Sequence, residues 1–130
     1  MNSAVEPLPD APIVIVSLQP HTNIDREVQD IAAAVADLIN EMGSPLVVIH
    51  DFSDYDVSFP NMVQKLASET QGLPGSLSDE RVIPMFVGRS AMVELGAQSF
   101  AQKQYGDTVV LLFADLDDAV DYARRFIQVQ

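Results

Sequence analysis

Four short runs of this chain are apolar at successive positions instead of at every second one. They are Ile13-Val14-Ile15-Val16, Leu46-Val47-Val48-Ile49, Val82-Ile83 with Met85-Phe86-Val87, and Val109-Val110-Leu111-Leu112-Phe113. β-Branched residues dominate them, so they read as strands. Successive side chains of a strand point to opposite sides, and a strand with one wet face therefore alternates apolar and polar residues. These runs do not alternate. Both of their faces must be covered, as in a parallel or mixed sheet held between other layers, and parallel neighbours need long crossovers, usually helical.

The intervening segments carry the helical period. Val28, Ile31, Ala32, Val35, Leu38, Ile39 and Met42 recur on one face, with Thr22 and Asp25 spaced as a capping box and Gly43 placed to end the helix. Met62, Val63, Leu66 and Ala67 predict a shorter helix with Pro60 in its first turn, followed by a loop from Gln71 to Asp79 that contains Gly72, Pro74 and Gly75. Met92, Val93, Gly96, Ala97, Phe100 and Ala101 predict a third helix, ending at Gly106. Leu116, Ala119, Tyr122, Ala123, Phe126 and Ile127 predict a fourth, capped by Asp115, with Asp117 and Asp118 in its first turn and Arg124 and Arg125 in its last.

The expected fold class is therefore α/β, with about four mostly parallel strands alternating with four helices and right-handed crossovers. Residues 13–130 are expected to form a single domain. Residues 1–12 hold Pro7, Pro9 and Pro12, which make a poor strand, so they are expected to be a poorly structured extension. Pro84 has no N–H for a ladder and places its strand at an edge or at a bulge.

Charge and composition exclude several classes. Seven basic residues against 19 acidic ones leave a net charge of −12, the wrong sign for a phosphate backbone, so nucleic acid is not expected as a partner. The chain has no Cys, which removes disulfides, thiolate nucleophiles and Cys-ligated metals. Its longest apolar runs are about half a membrane span, and residues 1–12 lack the basic and apolar regions of a signal peptide, so a cytoplasmic protein with no membrane span is expected.

In an open parallel sheet, ligands gather beyond the carboxyl ends of the strands. The candidate binding residues there are His21, Asn23, His50, Asp51, Ser53, Gly88, Arg89 and Ser90. His50 and Asp51 are sequence neighbours on a strand and point to opposite faces, so they cannot form a catalytic dyad. Two histidines without a further ligand pattern make no metal site, and no metal or cofactor is expected. Asp51, Asp54 and Asp56 resemble a magnesium-binding cluster, but the lysine and acidic pair of a response-regulator receiver are missing, and turn-capping is the simpler role. Gly88-Arg89-Ser90 can hold an anion at a helix start, although Ser90 also suits an N-cap and Arg89 also suits an ordinary ion pair. No GxxxxGK[ST], GxGxxG or GxSxG is present, so no nucleotide fingerprint or serine nucleophile is assigned.

Three segments together resemble the STAS superfamily, in its SpoIIAA-like, lipid-binding-like branch of small bacterial regulators. They are Val47-Val48-Ile49-His50-Asp51-Phe52-Ser53-Asp54, similar to an apolar strand ending in Asp-apolar-Ser; the strand Met85-Phe86-Val87-Gly88; and Phe113-Ala114-Asp115-Leu116-Asp117-Asp118-Ala119-Val120, similar to the family's start of the terminal helix. The family's Asp-Ser-Ser-Gly phosphoacceptor motif is replaced here by Ser58-Phe59-Pro60-Asn61, which leaves Ser58 as a cap or a modification candidate. The extra N-terminal strand usual in STAS domains is also expected to be missing.

The resemblance implies a non-enzymatic regulatory or protein-interaction module that binds a protein partner or a small anionic or apolar ligand. The alternative is a small enzyme or ligand-binding protein with its site at the strand ends. A STAS-like sandwich packs helices mainly on one sheet face, and the bare face then calls for a symmetric homodimer. A flavodoxin-like doubly wound sheet, with helices on both faces, is the other arrangement.

Overall fold

The computed structural model describes residues 4–19, 24–43, 45–102 and 108–129. Its strands are β1 (Ala4–Pro7), β2 (Ile13–Ser17), β3 (Leu46–Asp51), β4 (Val82–Val87) and β5 (Leu111–Phe113). Its helices are α1 (Ile24–Met42), α2 (Phe59–Glu69), α3 (Ala91–Phe100) and α4 (Leu116–Val129). The five strands form one sheet in the order β1-β2-β3-β4-β5. β1 is antiparallel to β2, and every later pair is parallel. The predicted α/β class is thus what the chain adopts, with one strand more than expected. No helix among the described residues is long and apolar enough to cross a membrane.

That additional strand corrects the expected unstructured extension. Ala4 pairs with Ser17 and Pro7 with Val14, and the Leu8 N–H donates to the Ile13 carbonyl at 2.8 Å to close the hairpin. Prolines are tolerated because β1 is an edge strand with a ladder on one side only, and Pro7 is its last residue. Pro84 is accommodated in a related way. β4 is an interior strand, but its pairing with β5 starts at Met85↔Leu111, so at Pro84 only β3 flanks it. The last apolar run is shorter than expected as a strand: Val109 and Val110 precede β5.

Alternate residues of the strands feed two cores. On one face, Val14, Val16, Val48 and Phe86 pack with α1, α2 and α3 through Val35, Ile39, Met62, Val93 and Phe100. On the other, Ile13, Val47, Ile49, Met85 and Val87 pack under Ala119 and Ala123 of α4, with Leu8 and Ala11 of the hairpin loop beside them. Arg124 of α4 reaches Asp10 at 2.9 Å and ties that loop to the helix. The chain therefore covers both sheet faces itself, but its strand order runs without the reversal of a doubly wound sheet: α1, α2 and α3 share one face and the terminal α4 covers the other. A bare face therefore supplies no reason for a second copy.

Helix ends follow the sequence closely. Gly43, at φ +88°, ends α1, and its N–H donates to the Ile39 carbonyl at 2.8 Å. Ser58 caps α2 by accepting from the Asn61 N–H, Pro60 sits in the first turn, and Ser90 caps α3 by accepting from the Val93 N–H. α4 runs on to Val129, so Arg124 and Arg125 precede its last turn, contrary to expectation. Gly75, at φ +81°, lets the loop after α2 lie directly on α1, where a Cβ would meet the Ala32 carbonyl. The expected cap at Thr22 and the stop at Gly106 lie outside the described residues.

Candidate functional site

β3 and β4 both end in short turns that lead straight into helices, and these turns shape a cleft at the carboxyl edge of the sheet. Asp51 ends β3, and its Oδ1 accepts from the Ser53 N–H at 2.9 Å and from the Ser53 hydroxyl, which folds residues 51–53 into a tight turn. Tyr55 continues that turn by donating its N–H to the Phe52 carbonyl, and its hydroxyl accepts from Asn61 Nδ2 at 2.9 Å. Opposite, Gly88-Arg89-Ser90 connects β4 to α3. The resulting cleft, about 540 Å³, lies between the 52–56 turn, the head of α3 and Ala114-Asp115.

Ser53, Gly88, Arg89 and Ser90 line this cleft as expected of strand-end residues. Asp51 is committed to its turn, in line with the capping role. His21 and Asn23 lie outside the described residues. Arg89 donates to Asp115 Oδ1 at 2.7 Å in an exposed pair, the ordinary fate of an arginine on an acidic surface. Asp115 holds the expected N-cap position of α4: its carbonyl accepts from the Ala119 N–H, while its carboxylate takes Arg89. Asp54, Asp56 and Asp115 thus set three carboxylates against one guanidinium around the cleft, a field that favours a cationic group over an anion. No three metal-ligating side chains come together among the described residues.

His50 does not join the cleft. It lies at 3% exposure beneath α2, with its ring 5.8 Å from that of Phe86. Beside it is a pair that hydropathy does not announce: Lys65 and Glu69, at 1% and 3% exposure, with Nζ 2.9 Å from Oε2. His50 Nδ1 is 4.0 Å from the same Glu69 oxygen, and Lys65 Nζ lies 5.9 Å from the centre of the Phe52 ring. Burial, helped by the positive charge of Lys65, holds His50 well below its ordinary pKa and keeps the imidazole neutral near pH 7. A buried pair of this kind is a poor source of net stability but a strict one, because either charge left alone in the core is costly. It fixes the rotation of α2 about its own axis.

That rotation has an outward consequence. Since Met62, Lys65, Leu66 and Glu69 are the buried residues of α2, Val63 is turned away from the core. Phe59 and Val63 on α2 and Leu95 on α3 are 58%, 43% and 41% exposed. With Met62, Leu66 and Ser99 they line a shallow groove of about 190 Å³ between the two helices. Gly96 faces Met62, and a Cβ there would collide with the thioether, so the helices lie close along the floor of the groove. Sequence reasoning missed this surface. The available signal was Phe59 and Val63, spaced i, i+4, together with Leu95, lying off the stripes that pack inward.

The chain matches no known family model, no curated protein and no solved structure.

Proposed function

We propose that this chain is a non-enzymatic, STAS-like interaction module that docks a protein segment on the outer surface of α2 and α3. The observation that carries the reading is the exposed strip of Phe59, Val63 and Leu95 along the α2–α3 groove. Large apolar side chains gathered at a groove, in a chain that covers its own sheet on both sides, mark an interaction surface. Two further features support the STAS likeness. An N-terminal strand is present as β1, and Ser58 opens the helix that follows the Asp-Phe-Ser strand end. The reading sets the protein in a bacterial cytoplasm.

Selection of a displayed random-peptide library against the immobilised protein tests this. Enriched peptides should bind wild type and lose at least tenfold in affinity to a Phe59→Ser/Leu95→Ser variant that melts like wild type. Peptides that bind both proteins equally, or no enrichment at all, would contradict it.

A small-ligand site in the strand-end cleft is the second reading, favoured by the convergence of Ser53, Arg89 and Ser90 on one cavity. A thermal-shift screen with nucleotides, flavins, acyl lipids, polyamines and phosphate decides between them. A ligand at a hundred times its Kd stabilises by ~2.7 kcal/mol, and a shift abolished by Arg89→Ala would favour the cleft.

A further inference from the structure

We infer that the occupant of the α2–α3 groove is an amphipathic helix with a Lys/Arg-rich end, supplied by a different protein; the inference rests on the docking reading above. α2 presents Phe59 and Val63, one turn apart, on the rim of the groove, above a floor of buried Met62 and Leu66. Two ridges of this kind with a trough between them accept a third helix, whose own apolar stripe fills the trough. From Phe59 to Leu66 the groove runs roughly 10 Å at 1.5 Å per residue, so two to three turns of a partner suffice.

Charge selects among such helices. Between them α2 and α3 carry three charged residues, of which Lys65 and Glu69 are buried as a pair, leaving Glu94 as the exposed one. α3 begins at the cleft with its cap Ser90, and α2 begins just after the 52–56 turn that lines it; with Arg89 paired to Asp115, Asp54 and Asp56 are the excess charge there. An apolar helix lying in the groove therefore places one of its ends against a carboxylate-rich mouth, and that end is favoured when it is basic. A second copy of this chain is the poorer occupant. Each copy carries a net charge of −12, and bringing two acidic mouths together adds repulsion to the cost of association.

The test uses two labelled amphipathic peptides of about five turns with identical leucine stripes, one with lysines and one with glutamates at the polar positions. Binding of each to the full-length protein is read by fluorescence anisotropy at low and moderate salt. The Leu/Lys peptide should bind at least tenfold more tightly than the Leu/Glu peptide. Phe59→Ser/Leu95→Ser should weaken it about tenfold, and Asp54→Asn/Asp56→Asn should weaken it about threefold while flattening its salt dependence. Melting curves confirm that both variants are folded. Equal binding of the two peptides, lost in the groove variant, would overturn the basic partner and leave the docking reading standing. Leu/Lys binding that the groove variant leaves intact, or no binding of either peptide, would overturn the inference. Self-association seen by light scattering and abolished by Phe59→Ser/Leu95→Ser would assign the groove to a second copy instead.

Discussion

The two faces of the sheet are covered in different ways. One carries three helices and the bulkiest interior residues, including Phe86, Phe100 and Met62, together with a buried Lys-Glu pair and a buried histidine. The other carries one helix that sits down on two alanines, Ala119 and Ala123, both at 0% exposure, with a hairpin loop tucked beside it. The thin cover is simple: small residues let one helix lie close, and its surroundings are apolar. The thick cover is constrained by ions, which fix how α2 is rotated and so which of its apolar residues are left outside. The exposed apolar strip proposed to dock a partner is thus a product of the thick side.

The largest expected effect breaks that constraint. Glu69→Leu strands the Lys65 ammonium in the core and should cost about 3–5 kcal/mol in urea denaturation, while Lys65→Met/Glu69→Leu should recover most of the loss. A single-variant loss below about 1 kcal/mol would mean that the pair is not held dry. On the thin side, Ala123→Leu forces α4 away from Ile49 and Met85 and should cost about 1–3 kcal/mol through overpacking, with no comparable change expected at an exposed position such as Asp121.

A third effect distinguishes the faces by pH. The folded pKa of His50 is held well below its ordinary 6.5, so the unfolded chain binds the extra proton. Its contribution is fully present above about 6.5 and declines as pH falls toward the folded value, by up to ~1.4 kcal/mol per pH unit. His50→Gln should flatten this slope between about pH 6.5 and 5; an unchanged slope would assign it to other groups. The smallest effect is expected outside the core, where Phe59→Ser should leave stability within about 0.5 kcal/mol of wild type, as suits a residue kept for contact and not for folding. A loss several times larger would make Phe59 part of the structure.

Sequence periodicity showed the sheet and all four helices because long apolar stripes and bifacial strands are local patterns. It failed where a distant partner decides the outcome. Ala4–Pro7 becomes a strand because β2 offers an open edge, which no property of its prolines foretells. Lys65 and Glu69 look like solvent-facing residues until the core on three sides is known. The cleft was legible in part, since Ser53, Arg89 and Ser90 sit at strand ends, yet His50, at the same strand end, points into the core. Parity along β3 could place His50 and Asp51 on opposite faces without saying which face carried three helices. Of the four apolar residues that announce α2, Val63 and Ala67 lie outward, because hydropathy alone cannot see that Lys65 and Glu69 share the inward face with Met62 and Leu66.

The central claim is that the outer surface of α2 and α3 engages a partner while the α4 side serves the fold. Methyl NMR of the labelled protein, titrated with the Leu/Lys peptide, tests it most directly. The account predicts shifts confined to Val63, Leu66 and Leu95, with Leu111, Val120 and Ile127 unmoved. Shifts centred on Leu111, Val120 and Ile127, with Val63 and Leu95 unchanged, would contradict it.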